Sequence, residues 1–294
     1  MTCVNSPLLV QSYVMGLYYI FTVDGDWDEY FLSNLTEAER QPDKKTLLNL
    51  IRREIKLAVS INGKLLHFVH TSSVTPDFFL QPEFISLWKD IKERGGNVGV
   101  HCHTEDLFHD GRFSDLDKME KSISSLTGAL VSKGINPISY RGGYMAFCEK
   151  NIPLLEKNGL LLDFSCDPGR YLRLEGELIV DWRGAPDTHY RMSHEDHRKP
   201  GNSKVVEIPL GKAGGGTLYI ETTSLLSIWK AARALAKKVK EEKRDIIVSV
   251  LSHTYEFASF WKRLKIKLAL FICKKHGIFV SDEEALEIIN QQKI

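Results

Sequence analysis

Short apolar runs rich in aromatic and β-branched residues alternate along this chain with longer stretches whose apolar residues recur every three or four positions. Residues 17–23 (Leu-Tyr-Tyr-Ile-Phe-Thr-Val) predict a central strand that stops at Asp24-Gly25-Asp26-Trp27-Asp28. Leu47, Leu50, Ile51, Ile55 and Ala58 give residues 46–61 a helical spacing. A short strand over 65–69 ends at His70-Thr71-Ser72. Pro82 opens a helix over 83–94, where proline is tolerated in the first turn, and Gly95-Gly96 closes it. Residues 98–105, Val-Gly-Val-His-Cys-His-Thr-Glu, begin as a buried strand and end in potential metal or proton ligands. A helix over 115–133 aligns Met119, Ile123, Leu126 and Leu130. A strand over 137–140 runs into Arg141-Gly142-Gly143-Tyr144. A helix over 151–158, closed by Gly159, precedes a strand over 160–164. Residues 176–210 are irregular, with strand-like pieces at 178–182 and 205–208 around a long loop rich in Asp, His, Arg and Pro. A helix over 224–242, a strand over 245–251, a helix over 257–275, a strand over 277–280 and a helix over 283–290 complete the pattern.

Strands separated by helices of this length imply βαβ units and a mainly parallel sheet. About seven or eight strands with no linker predict one α/β domain over residues 17–294, preceded by an N-terminal extension over 1–16. No Gly-x-Gly-x-x-Gly turn follows the first strand, and neither a P-loop nor a Gly-x-Ser-x-Gly elbow occurs. Gly214-Gly215-Gly216 lacks the Lys-Ser/Thr sequel of a phosphate cradle. A closed or nearly closed barrel therefore fits better than an open dinucleotide-binding sheet.

Composition narrows the function classes. At 294 residues, 43% hydrophobic and 26% charged, the chain can bury a sizeable core. Its net charge of +1 argues against a global nucleic-acid footprint. The basic run 237–244 is interrupted by Glu241 and Glu242 and reads as a solvated helix face. Five cysteines without paired spacing weigh against a disulfide framework and suit a reducing compartment. No apolar run reaches the roughly 18 residues of a membrane span, so no integral membrane segment is expected. Residues 1–16 lack the basic start of a signal peptide, which favours the cytoplasm.

Four predicted strand ends carry groups able to do chemistry: Asp24 with Asp26, His101 to Glu105, Arg141 to Tyr144, and Ser252-His253-Thr254. In parallel α/β folds these ends lie on one face, so the groups can converge. In an extended chain His101 and His103 share a face and Cys102 points into the core. In a helical turn His101 lies over Glu105 instead. His67 and His70 flank a strand and read as structural or substrate-facing. His189, His194 and His197, with Asp187, Glu195 and Asp196, read as a substrate-contacting or solvated loop. Glu207 lies on a strand whose role the pattern leaves open.

These motifs resemble those of the polysaccharide deacetylases, the NodB-homology or carbohydrate esterase family 4 proteins. Thr22-Val23-Asp24-Gly25-Asp26 stands for Thr-Phe-Asp-Asp-Gly, and His101-Cys102-His103-Thr104-Glu105 for His-Ser/Thr-x-x-His. Arg141-Gly142-Gly143-Tyr144 stands for Arg-x-Pro-Tyr, and Leu251-Ser252-His253 for Leu-x-His. They occur in the family's order over nearly the whole chain. The resemblance implies a divergent member with a distorted (β/α)7-type barrel as a single domain. It implies a divalent metal ion, zinc before cobalt or nickel, that binds water and polarises an amide. Asp24 would then be the general base, His253 the general acid, and Arg141 the partner that keeps Asp24 ionised. The metal would fall to Asp26, His101, His103 and Glu105, with the choice between His103 and Glu105 open. Tyr144 would line the oxyanion side, and Asp181-Trp182 loosely matches a fourth, Trp-bearing motif at the substrate. The implied reaction removes an N-acetyl group from a sugar or nucleotide-linked sugar, in surface-polysaccharide biosynthesis. The departures at Gly25, Glu105 and Gly142 motivate a rival, a carbohydrate-binding relative without metal. Hydrolysis of another non-peptide C–N bond would use the same machinery.

Overall fold

The structure is a computed structural model that describes residues 15–31, 35–36, 38–72, 75, 77–103, 115–174 and 177–292. Its first strand, β1 (Leu17–Asp24), is followed by α1 (Lys44–Ala58) and β2 (Leu65–Thr71), then by α2 (Pro82–Glu93) and β3 (Asn97–Cys102). Next come α3 (Leu116–Ser132), β4 (Ser139–Gly142), α4 (Asn151–Lys157) and β5 (Leu162–Asp163). The helices start where capping chemistry allows. Asp43, Asp115 and Ser224 each accept from a first-turn amide of α1, α3 and the later helix α5 (Leu225–Glu242). Pro82 opens α2, as its missing N–H permits.

Residues 171–217 carry short strands instead of βα units: a hairpin of β6 (Tyr171–Leu174) and β7 (Glu177–Asp181), then β8 (Tyr190–Arg191) and β9 (Val206–Glu207). A second hairpin joins β10 (Lys212–Ala213) to β11 (Gly216–Thr217). Its turn uses Gly214 and Gly215 at positive φ, so the glycine run serves a reversal and no phosphate. After α5 come β12 (Ile246–His253), α6 (Phe260–Lys274), β13 (Ile278–Phe279) and α7 (Asp282–Gln291).

Nine of these strands share one curled sheet in the order β12-β1-β2-β3-β4-β5-β9-β8, with β13 also on β1. All pairs from β12 to β9 are parallel, and only β8 runs antiparallel. The ring is completed without another regular strand. Ile208 and Leu210 donate to β5 and the residues beyond it, at Asp163 and Cys166. On the other side Gly211 donates to Ser249, and Ser249 to Pro209. Residues 206–211 therefore bridge β5 to β12, and a distorted seven-membered barrel results, as the strand count predicted.

Alternation then divides each strand between two cores. Tyr19, Phe21 and Val23 face the helices, whereas Ile20 joins Leu66, Phe68, Leu162, Phe164, Val206, Ile208 and Ile247 inside the barrel. The lower end of the barrel is closed by α7, whose Ala285 and Ile289 pack on this inner cluster. Asp282, buried at the start of α7, accepts from Asn97 Nδ2 (3.1 Å) and Ser139 Oγ (2.7 Å). The carboxyl ends of the strands stay open to a cleft.

On the outer side of the sheet, Asp163 and Glu207 face each other across β5 and β9, and both are fully buried. Sequence patterning leaves the role of the Glu207 strand open. The structure pairs Glu207 with Tyr190 of β8 in the sheet, with Oε1 accepting from the Cys166 amide (3.1 Å). Burial, and then the facing Asp163 charge, push Glu207 well above the usual carboxylate range; burial raises Asp163 too. The unfolded chain ionises Glu207 in the ordinary range while the folded chain keeps its proton. The stability available below that range is therefore lost as pH rises through the folded value. Glu207→Gln removes this loss. Its thermal midpoint should equal wild type near about pH 4 and exceed it progressively toward about pH 8. Calorimetry that found wild type the more stable at alkaline pH would refute a Glu207 that keeps its proton in the folded chain.

Candidate active site

Strand register assembles the open end of the barrel. Asp24 is level with His253 on β12 and with Phe68 on β2, while His70, His101 and Arg141 form one row across β2, β3 and β4. Beyond β1 the ladder continues, because the Gly25 amide donates to Phe68 O (3.0 Å). Asp24 and Asp26 therefore share a face. Glycine is required between them, since a Cβ at position 25 would sit 2.7 Å from Phe68 O. Past β3, the His103 amide donates to Thr71 O (2.9 Å), so the chain stays extended and His101 and His103 face the same way. Glu105 lies outside the described residues.

Asp26, His101 and His103 converge as a buried group whose ligand atoms all lie within 4.8 Å of one another. His101 Nε2 is 3.3 Å from Asp26 Oδ2 and 2.9 Å from His103 Nε2, and His103 Nε2 is 3.6 Å from Asp26 Oδ1. His101 Nδ1 donates to the Arg141 carbonyl (3.0 Å), so in the neutral ring the Nε2 lone pair turns toward Asp26 and His103. Two imidazole nitrogens and a carboxylate oxygen, buried and turned on one point, are a donor set that could hold a metal ion. Gly143 makes room for it: a Cβ there would lie 2.6 Å from His103 Nδ1. His70 supports the group from β2. Its Nδ1 donates to Asp26 Oδ1 (2.8 Å), and its ring stacks on His103 at 4.8 Å. Burial keeps His70 neutral, with its pKa lowered to about 4.

Asp24 is held from the other side. Arg141 Nη1 donates to Asp24 Oδ1 at 2.6 Å. Asp24 Oδ2 lies 4.0 Å from His101 Nε2 and 3.8 Å from His253 Nε2. Burial raises the Asp24 carboxyl, but Arg141, then His101 and His253, outweigh it and keep the group below its usual value. His253 receives both oxygens of Glu221 at its Nδ1 (2.9 and 2.8 Å). Burial alone would lower His253; the Glu221 charge and hydrogen bond, aided by Asp24 and Asp26, lift it to about 9. Glu221 reaches this place through a parallel bridge between Tyr219 and Leu251, two residues before each partner. A lone Glu ahead of a helix carries no sequence signal for such a role, and sequence reasoning missed it. His70's bond to Asp26 was likewise not legible.

The cleft above these groups holds about 200 Å³ and is also lined by Phe31, Tyr144, Met145, Arg170, Tyr219 and Tyr255. Tyr144 and Met145 both adopt positive φ (55° and 63°), a strained turn that directs the Tyr144 ring toward His103 (5.7 Å). Trp182, placed at the substrate by sequence, is not on the cleft. It is fully buried on Phe147 and His197, and its Nε1 donates to Met145 O (2.9 Å), so it props the turn from behind. The histidines of residues 189–197 do not cluster. His189 is buried against Gln292, His197 packs under Trp182, and exposed His194 meets Glu156. A larger cavity of about 740 Å³ opens at the far end of the barrel beside Thr188 and Arg244, away from the assembled ligands.

No protein-family profile and no curated protein matches this chain. Solved structures do. A protein from Mycobacterium smegmatis assigned to the polysaccharide deacetylases is 15% identical, covers 94% of this chain and 91% of its own, and has a TM-score of 0.60. A protein assigned as a glycoside hydrolase/deacetylase from Parabacteroides distasonis is also 15% identical, with 95% and 72% coverage and a TM-score of 0.62. The Puue allantoinase is 12% identical, with 99% coverage of both chains and a TM-score of 0.58. The chain thus has the polysaccharide deacetylase fold and diverges widely from these proteins in sequence.

The Glu221 contact makes a direct prediction for the metal-free protein. In Glu221→Gln the His253 pKa should fall from about 9, because burial is then opposed only by Asp24 and Asp26. An NMR titration of the His253 ring that found no change would remove Glu221 from the site.

Proposed function

We propose that this protein is a metal-dependent amidohydrolase that removes an N-acetyl group from a sugar or nucleotide-linked sugar in surface-polysaccharide biosynthesis. The observation that carries the reading is a buried Asp26/His101/His103 donor set beside a base–acid pair: Asp24 Oδ2 lies 4.0 Å from His101 Nε2 and 3.8 Å from His253 Nε2. A zinc ion held by Asp26, His101 and His103 would supply Lewis acidity and a more acidic water, with cobalt or nickel suiting the same donors. Asp24, ionised and fixed by Arg141, accepts a proton from the attacking water as its oxygen bonds the acetyl carbon. His253, charged through Glu221, donates a proton to the nitrogen as the C–N bond breaks. Acetate and a free amine result. Tyr144 borders the cleft beside His103, which supports a role for it on the side where the carbonyl oxygen gains charge. The deacetylase and allantoinase folds among its structural neighbours support hydrolysis of a non-peptide C–N bond.

The zinc-loaded protein should release acetate from at least one member of a panel of N-acetylated sugars. Asp24→Asn should lower that turnover by roughly a thousandfold while zinc content stays stoichiometric. Full activity of Asp24→Asn would displace the base, and no release with zinc, cobalt or nickel would sink the deacetylase reading. Gly143→Ala tests the donor set separately. Its methyl group should push His103 aside and weaken zinc binding by about tenfold or more, read by competition with a chelating dye. Unchanged affinity would take His103 out of the ligand set.

A further inference from the structure

One face of the barrel's outer layer is built unlike the others. The inward stripe of α6 is Ile266, Ala269, Leu270 and Cys273, all buried, with the spacing of a helix lying on a core. Its outward face ought to be polar. Instead Phe260, Trp261, Leu264, Leu268 and Phe271 are exposed, Trp261 to 74%, Phe260 to 62% and Phe271 to 56%. Around them stand Arg263, Lys265, Lys267 and Lys274, with Lys262 paired to Glu256 of the preceding turn, and the helix contains no acidic residue. In a chain of net charge +1 this is a local concentration of cations. The neighbouring α5 extends the surface with exposed Leu226 and Trp229. Lys230, Arg233 and Lys237 of α5 line a cavity of about 640 Å³ that reaches His276 beyond α6.

The start of α6 lies at the catalytic end of the barrel. Only the turn at Thr254–Ala258 separates His253 from α6, and Lys265 Nζ donates to the Glu221 carbonyl (3.1 Å). Phe260, Trp261 and Leu226 stand in the first turns of helices that begin at that end.

We propose that the α5–α6 face docks on an anionic lipid bilayer. Aromatic and leucine side chains enter the headgroup boundary while lysine and arginine stems extend their charges to lipid phosphates. A second copy of the chain fits poorly, because a two-fold contact would bring two faces lacking acidic residues against each other in α6. Docking sets the cleft beside the lipid surface and matches an N-acetyl sugar borne on a lipid carrier. That substrate assignment rests on the deacetylase reading, whereas docking does not.

Vesicle sedimentation tests docking without any turnover. The full chain should sediment with phosphatidylcholine vesicles that contain phosphatidylglycerol, and much less with phosphatidylcholine alone. Added salt should weaken the association. The double variant Phe260→Ser, Trp261→Ser should reduce partitioning by about tenfold or more with unchanged circular dichroism, since both side chains are exposed. Lys267→Glu should reduce it in the anionic vesicles only. Failure to sediment with anionic vesicles at low salt overturns the proposal, as does equal partitioning of the double variant. A Trp261-dependent dimer in light scattering, without vesicle binding, overturns it in favour of self-association.

Discussion

The buried guanidinium of Arg141 is the constraint on which the open end of this barrel depends. A cation removed from water inside a protein must be met on every side, or its desolvation is uncompensated. Here Nη1 donates to Asp24 Oδ1, Nη2 to Thr22 Oγ1 and Nε to Phe164 O, while the Phe68 ring lies 4.7 Å from the guanidinium carbon. Strands β1, β4 and the end of β5 are tied through one side chain. The backbone of the same residue accepts from His101 Nδ1 and so orients the imidazole toward Asp26. Losing such a buried partner costs about 3–5 kcal/mol, because the remaining charge is left unpaired. Base and donor set are therefore coupled through Arg141.

Close approach of backbone to side chain is the second requirement, and it explains the departures from the deacetylase motifs. Gly25 replaces a side chain where the chain hugs Phe68 O, which shifts the second aspartate to position 26 without changing its face. Gly142 stands where a Cβ would meet Ala146 O at 2.0 Å, and Gly143 where one would meet the His103 ring. The tight turn that follows keeps two non-glycine residues at positive φ, at about 1–3 kcal/mol each. Trp182 behind Met145 helps hold it. This glycine-bearing loop is a crowded one in space.

Charge and access are arranged along the barrel axis. The lower end is sealed by α7 and by Asp282 bonded to Asn97 and Ser139. The upper end keeps Asp24, Asp26 and the imidazoles facing a small cleft. Opposite environments then set opposite protonation states for two histidines of one site. His70, buried against a single oxygen of Asp26, remains neutral, whereas His253 meets both oxygens of Glu221 and carries a proton. The same rim leads into the aromatic and basic face of α6, so the cleft and that surface share one end of the molecule.

The sequence by itself determined the alternation of strands and helices, the single α/β barrel and the strand ends that bear Asp24, Asp26, His101, Arg141 and His253. Those features are local: period-two and period-3.6 patterning, caps and turn residues are written in consecutive positions. The family resemblance drew on the same strand ends. Tertiary structure decided the rest. It extended β3 far enough to bring His103 to Asp26, placed Glu221 beside His253 through a bridge between distant segments, and moved Trp182 from the substrate to the support of a turn. It also closed the ring with residues 206–211, which carry hardly any regular strand. Each of these depends on register between segments far apart in the chain. Register follows from which faces can be buried together, and that is a property of the assembled barrel.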